Sequence, residues 1–72
     1  VVLMEILMPG MDGISAIMKI IELNSKAKII VVSALVKEAL RKEAMRAGAV
    51  DFVAKPFQVE RLLEAVRAAT TA

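Results

Sequence analysis

Cysteine, histidine, tryptophan and tyrosine are absent from this sequence, and Phe52 and Phe57 are its only aromatic residues. Without cysteine and histidine, the chain cannot form disulfides, thiolate nucleophiles, histidine general bases or zinc sites built from these side chains. No apolar run approaches the length of a membrane span, so we expect no membrane association and a cytoplasmic location. Because most familiar enzyme chemistries are excluded, we expect the chain not to be an enzyme.

A large excess of one charge is also absent. Ten Lys and Arg residues oppose eight Asp and Glu residues, which gives a net charge of +2. The charges are spread along the chain, whereas proteins that bind nucleic acids usually carry a basic stripe or a platform of aromatic rings. We therefore expect no binding to nucleic acids.

Apolar residues, by contrast, are abundant. They make up 58% of the 72 residues, a length that allows at most one small domain with a marginal core. So high a share indicates either elements that are buried on both faces or a piece of a larger protein. The chain also begins at Val1, inside an apolar run and without a methionine, so we expect an excerpt from a longer sequence.

Three short apolar runs predict β-strands. They are VVLM at positions 1–4, IIVV at positions 29–32 and DFVA at positions 51–54. The first two are continuous instead of alternating, which is typical of strands covered on both faces of a parallel sheet. The third run is shorter and is a weaker strand signal on its own.

Segments with a helical period of apolar residues follow each run. Helices are expected over about 14–23, over about 37–47 with Gly48 as a left-handed stop, and from just after Pro56 to about residue 69. Asp12 lies where the first helix would have its N-cap. The residues expected to face the core are Ile14, Ile17, Met18, Ile21, Leu40, Ala44, Ala47, Leu62, Leu63, Val66 and Ala69.

The order β-α-β-α-β-α predicts an α/β fold with a parallel sheet and right-handed crossovers. All strands then end on one side of the sheet, the carboxyl edge, where open parallel sheets bind ligands. Glu5, Ser33 and Lys55 directly follow the three runs, so an acid, a hydroxyl and an amine should converge there. They could handle a phosphoryl group or another small anion, or they could be ordinary polar residues in loops with a surface ion pair.

The sequence resembles the second part of a two-component response-regulator receiver domain of the chemotaxis-regulator type. The resemblance rests on LMEILMPGMDGISA from Leu3, on the Ser33–Ala34 pair and on AGAVDFVAKPF from Ala47. It covers residues 1–72 and implies a partial flavodoxin-like parallel sheet of three strands with helices on both faces. These elements correspond to strands 3 to 5 and helices 3 to 5 of the family fold, and the first two βα units are missing.

The resemblance also implies roles for the three residues at the carboxyl edge. Glu5 lies where receivers place the aspartate that accepts a phosphoryl group from a histidine kinase. Ser33 matches the Ser or Thr that binds the phosphoryl oxygen, and Lys55 matches the lysine that contacts the phosphate. Ser33 could equally cap or orient the following turn.

Three further roles come from the resemblance alone. Phe52 occupies the position of the switch aromatic, although it could be a plain core residue. The Leu7 backbone carbonyl corresponds to a magnesium ligand of the intact family. The peptide bond that precedes Pro56 is one that receivers usually hold in cis, an isomer that is energetically accessible before proline.

Two departures from the family change the functional expectation. Without the first strand and its acidic pair, a magnesium ion is left with one carboxylate and one carbonyl, so we expect no cofactor. Glu5 also replaces the acceptor aspartate, and its extra methylene moves the carboxylate outward by about 1.3 Å. In-line phosphoryl transfer needs finer positioning than that, so we expect little or no phosphoryl acceptance.

The missing strands also leave the first strand as a bare apolar edge, a template for pairing with another chain. We therefore expect self-association, most simply as a two-fold dimer, and expect a histidine kinase or output partner only by family resemblance.

Two alternatives remain: a fragment of a (β/α)₈-barrel enzyme, and a designed or excised structural piece with no activity. The KPF and MPxMDG stretches favour the receiver over the barrel.

Overall fold

The structure, a computed structural model, describes residues 1–6, 11–34 and 37–70, apart from the side chains of Met11 and Asp12. Strands and helices alternate along these ranges, as the sequence predicts. The elements are β1 (Val2–Ile6), α1 (Met11–Leu23), β2 (Ile29–Ser33), α2 (Glu38–Ala47), β3 (Asp51–Ala54) and α3 (Val59–Thr70).

The three strands form a parallel sheet in the order β1-β2-β3. Every residue of β2, the central strand, is buried, so the prediction of a strand covered on both faces is confirmed for β2. It is wrong for β1, in which residues that are half-buried or buried alternate with exposed ones. The difference arises because β1 lies at the edge of the described sheet.

Helices cover both faces of the sheet, and each face has its own core. On one face, Ile14 and Ile17 of α1 and Ala44 of α2 pack with Ile29 and Val31 of β2. On the other face, the buried residues are Ile30, Val32, Val53 and Ala65. The flavodoxin-like arrangement, with two helices on one side and α3 on the other, is therefore confirmed.

Two strands are longer than their apolar runs predict. Glu5 and Ile6 continue β1 and pair with Val32 and Ser33, and Ser33 is the last residue of β2. Glu5 thus lies within its strand instead of after it. The expected boundary was wrong because strand pairing uses backbone groups, which a carboxylate or a hydroxyl on the side chain does not interrupt.

Two helices begin at other residues than their apolar faces suggest. Helix α1 begins at Met11, so Asp12 lies in its first turn instead of at the N-cap position, and its side chain is outside the described residues. Helix α3 begins at Val59, two residues beyond Phe57. The apolar period marks the part of a helix that packs, whereas the backbone sets where the helix begins.

Two residues expected in the core are exposed. Met18 of α1 is 56% exposed and Leu63 of α3 is 45% exposed, whereas Ile17 and Ala65 are buried in the two cores. Each exposed residue lies on a flank of its helix, and no described element covers that flank. An apolar period identifies a broad stripe, but neighbouring elements decide how much of it is buried.

Gly48 ends α2 as predicted, with a positive φ of 126°. Its amide N–H donates to the Met45 carbonyl at 3.2 Å, and the next amide, that of Ala49, donates to the Ala44 carbonyl at 3.1 Å. These two bonds satisfy carbonyl groups that the end of a helix would otherwise leave unpaired.

Among the described helices, none is long and apolar enough to cross a membrane.

Candidate functional site

The candidate site lies at the carboxyl ends of the three strands. The register pairs Glu5 with Val32 and Ile6 with Ser33, and it pairs Ser33 with Ala54, which directly precedes Lys55. Side chains alternate between the faces of a strand, so Glu5 and Ser33 start from opposite faces. The structure nevertheless links all three predicted residues through a short series of contacts.

The Glu5 carboxylate forms an ion pair with the Lys55 ammonium. Their side chains are 44% and 36% exposed, respectively, so water screens the attraction and the pair adds little to stability. Its importance is positional, because it brings a carboxylate from β1 and an amine from the end of β3 together across the intervening strand. Both charges of the pair therefore lie together at the carboxyl edge of the sheet.

Ser33 is fully buried, and its hydroxyl donates a hydrogen bond to the Ile6 carbonyl at 2.8 Å. Its own carbonyl accepts a hydrogen bond from the Lys55 amide, also at 2.8 Å. Ser33 therefore joins the end of β1 to the start of the loop after β3. This is an orienting role, which the sequence left open beside the phosphate role that the resemblance implies.

Ser33→Ala is expected to lower the free energy of unfolding by about 1–3 kcal/mol, because the buried Ile6 carbonyl loses its hydroxyl donor. Urea titration followed by far-UV circular dichroism measures the loss. Ser15→Ala, at an exposed serine of α1, is the matched control and should leave the urea midpoint almost unchanged. Equal midpoints for the two variants would show that the hydroxyl is not a structural clamp.

Phe52 is half-buried and packs against the core on the α1 and α2 face. It also lines a cleft of about 370 Å³ with Lys37, Glu38, Arg41 and Ala54. The switch role of Phe52 stays a prediction. Phe52 contacts both the core and the cleft, and it precedes Lys55 at the carboxyl edge by three residues. The sequence did not reveal the cleft, because α2 and β3 form it together.

The structure describes one of the remaining two predicted positions. The Lys55–Pro56 peptide bond is cis, the isomer that the resemblance implies. Leu7, whose carbonyl corresponds to a magnesium ligand in the family, lies outside the described residues.

The resemblance implies a Mg²⁺ site in intact receivers, and the residues that the structure describes do not fit that ion. Mg²⁺ needs near-octahedral oxygen ligation and usually draws on several carboxylates, waters and phosphates. Among the residues that the structure describes, no group of three or more Asp, Glu, His or Cys side chains is placed to hold a metal. The Glu5 carboxylate is already engaged by an ammonium group.

A second ion pair, which the sequence analysis missed, lies near the start of β3. Arg61 donates to both Asp51 carboxylate oxygens, at 3.1 and 3.4 Å, and one of these oxygens also accepts the Phe52 amide at 2.7 Å. The hydrogen bond to Asp51 raises the pKa of the Arg61 guanidinium above its usual value. An acid at the start of a strand and an arginine in the first turn of a helix are each common. The spacing of Asp51 and Arg61 in the sequence therefore did not predict that they pair.

Parallel βα units with a carboxylate, a hydroxyl and an ammonium linked at the carboxyl edge form a module with a flavodoxin-like fold. The chain matches the response regulator receiver domain family over residues 1–67. It therefore belongs to the response regulator receiver domain family.

Individual relatives agree with this assignment. The chain is 50% identical to a chemotaxis protein CheY of Thermotoga maritima over 66 residues, which are 92% of this chain and 55% of that protein. It is 46% identical to the CheY of Bacillus subtilis over 65 residues, which are 90% of this chain and 54% of that protein.

Solved structures show the same likeness. A CheX–CheY–BeF3–Mg complex from Borrelia burgdorferi contains a chain that matches with a TM-score of 0.84 at 36% identity, covering 97% of this chain and 52% of that one. A response regulator from Thermotoga maritima matches with a TM-score of 0.86 at 32% identity, covering 100% and 61%. The chain thus spans about half the length of the curated relatives it matches.

Proposed function

We propose that this chain is a cytoplasmic receiver-type signalling module, without enzymatic activity of its own, that does not accept a phosphoryl group at Glu5. The observation that carries the proposal is the Glu5–Lys55 ion pair at the carboxyl edge. In the family the corresponding lysine contacts the phosphate. Here the Glu5 carboxylate itself supplies the negative charge that Lys55 contacts. Lys55 then has an anionic partner at the carboxyl edge without phosphorylation.

Three physical arguments support the loss of acceptance. The extra methylene of glutamate displaces the carboxylate by about 1.3 Å, and a misplacement of about 1 Å can slow a positioned reaction on the order of a hundredfold. The Lys55 ammonium also neutralises the nucleophile that would attack the phosphorus. In addition, the described residues do not fit the Mg²⁺ ion that neutralises charge during phosphoryl transfer.

Partners follow from family membership as part of the same proposal. The upstream partner is a histidine kinase and the downstream partner is an output protein, as the resemblance implies. The relative from Borrelia burgdorferi forms a complex with CheX, which supports partner binding as a property to test here. The cleft beside Phe52, bordered by Lys37 and by the Arg41–Glu38 ion pair, offers a surface for an apolar partner segment.

Self-association is the third part of the proposal. Strand β1 lies at the edge of the described sheet, and its Leu3 side chain is 53% exposed. An apolar edge strand pairs readily with another strand.

The barrel-fragment alternative is not favoured, because the family match covers nearly the whole chain.

Incubation of the chain with an acyl phosphate donor and Mg²⁺ is expected to give no more phosphoryl incorporation than the Glu5→Gln variant, which lacks the nucleophilic carboxylate. Intact-mass spectrometry measures the product, and an intact receiver domain serves as the positive control. Incorporation at Glu5 that is absent from Glu5→Gln and has the chemical lability of an acyl phosphate would contradict the proposal.

A further inference from the structure

Strand β3 is the second edge strand of the described sheet. Among the residues that the structure describes, it pairs with β2 alone. The Lys55 amide donates to the Ser33 carbonyl, and the residues that bond to one neighbour alternate along a parallel strand. Every second residue of β3, counted back from Lys55, therefore directs its backbone groups toward β2. Phe52 and Ala54 direct their N–H and C=O groups to the outer edge.

This edge belongs to an apolar strand. Phe52, Val53 and Ala54 form most of β3, and outward backbone groups on an apolar strand are a template for pairing with another strand. Proteins usually protect such an edge with charges, prolines, bulges or very short strands. The charged residue of β3 is Asp51, at its first position.

The Asp51 carboxylate engages one of the two outward amides. Its Oδ1 accepts the Phe52 amide N–H at 2.7 Å, so the preceding residue of the same strand satisfies this donor. A side chain that bonds to a nearby backbone group competes with the pairing of that group in a sheet. Because the bond is made within β3, it engages the Phe52 amide whatever segment lies beside the edge.

Arg61 of α3 holds the carboxylate in this position. Its Nη2 donates to Oδ1 of Asp51 at 3.1 Å, and its Nη1 donates to Oδ2 at 3.4 Å. Two parallel bonds fix the plane of a carboxylate more firmly than one bond does. Asp51 pairs in register with Ile30, which lies in the core under α3. The carboxylate therefore lies on the face of the sheet that α3 covers.

Stabilisation by charge alone does not account for this arrangement. The side chains of Arg61 and Asp51 are 40% and 33% exposed, so water screens their attraction and the pair adds little to stability. Glu64 is a weaker partner of Arg61, at 4.0 Å and with a side chain that is 79% exposed. What the Asp51–Arg61 pair changes is the availability of the Phe52 amide.

We propose that the Asp51–Arg61 pair is an edge cap, which closes the outer edge of β3 to the addition of another strand. A strand that paired there would need the Phe52 N–H as a donor. It would have to displace the Asp51 carboxylate from this donor while Arg61 holds that carboxylate in place. The edge cap acts at β3 and is independent of the association through β1 proposed above.

Asp51→Ala and Asp51→Asn are the matched variants for the test. Both remove one negative charge, but the asparagine oxygen can still accept the Phe52 amide and Arg61 Nη2, whereas alanine offers no acceptor. Hydrogen exchange followed by NMR measures the protection factor of each amide, which corrects for its intrinsic rate. The protection factor of the Phe52 amide should be on the order of tenfold lower in Asp51→Ala than in Asp51→Asn. The Val53 amide, which faces β2, should differ little.

The closing of the edge is measured on the same variants at equal protein concentration, by thioflavin T fluorescence and sedimentation. Asp51→Ala should form β-rich assemblies on the order of tenfold faster than Asp51→Asn, since only alanine leaves the amide open. Ser33→Ala, which is destabilised with the edge cap intact, controls for assembly that follows from unfolding. Association through β1 is common to all these chains, so its failure would leave the edge cap standing.

Equal protection of the Phe52 amide in the two Asp51 variants would overturn the edge cap. Lower protection in Asp51→Ala without faster assembly than Ser33→Ala would also overturn it, because the pair would then only tie α3 to β3. Lower protection together with faster assembly would support it. If Asp51→Ala does not fold, Arg61→Ala removes the anchor instead, and the same outcomes decide when it is compared with Ser33→Ala.

Discussion

Ile17→Ala is expected to leave the chain largely unfolded at 25 °C. Ile17 is fully buried where α1 packs on the sheet, and truncation of a buried isoleucine to alanine destabilises by about 2–5 kcal/mol. A core of this size rarely supplies more than about 3–5 kcal/mol in total. The loss therefore matches most of the stability available, and far-UV circular dichroism at fixed protein concentration should show it without denaturant.

Met18→Ala is the matched control for this experiment. It shortens the neighbouring residue of the same helix, but Met18 is more than half exposed, so we expect a change within about 0.5 kcal/mol. Because association stabilises a folded state, both variants must be compared at one concentration. If Ile17→Ala unfolds no more readily than Met18→Ala, the assignment of the α1 core is wrong.

Gly48→Ala should have an effect of similar size, for two independent reasons. The φ of 126° at Gly48 lies in a region that L residues rarely adopt, at a strain of about 1–3 kcal/mol. An added Cβ would also lie 2.7 Å from Cγ1 of Ile21, and such crowding costs about 1–3 kcal/mol more. Together they predict a loss of roughly 2–6 kcal/mol in a urea titration.

Gly13→Ala separates the two causes. A Cβ at Gly13 would meet the Ile6 side chain at 2.9 Å, but Gly13 lies inside α1, where alanine is about 1 kcal/mol more favourable than glycine. We therefore expect a much smaller loss than at Gly48. Similar losses at both glycines would indicate that crowding alone, and not the backbone conformation at Gly48, controls the end of α2.

The apolar runs and periods were enough to predict the order of strands and helices and the parallel sheet, whereas the helices on both faces of the sheet came from the family resemblance. They were informative because β2 and the inner faces of the helices are buried over their length, so composition follows burial closely. They failed at Met18 and Leu63, where the stripe continues beyond the elements that cover it. The ends of β1 and β2 were also missed, because backbone pairing continues past the last apolar residue.

The candidate site was predicted in part. The alternation of elements placed Glu5, Ser33 and Lys55 at one edge, and the structure links them there. Whether Ser33 orients backbone or faces a ligand was undecided, because that depends on the carbonyl of Ile6 in a neighbouring strand. The Asp51–Arg61 pair was invisible for the same reason, since its partners meet only when α3 folds back on β3.

Residue pattern and motifs identified parallel βα units of the receiver family, with glutamate at the acceptor position. The folded structure added that this glutamate pairs with Lys55, that the Ser33 hydroxyl binds the backbone of β1, and that Leu3 is exposed at the edge of the described sheet. The local pattern of apolar residues reflects which side chains are buried. The three features of the folded structure depend instead on which distant segment lies opposite each residue, and strand register and packing determine that segment.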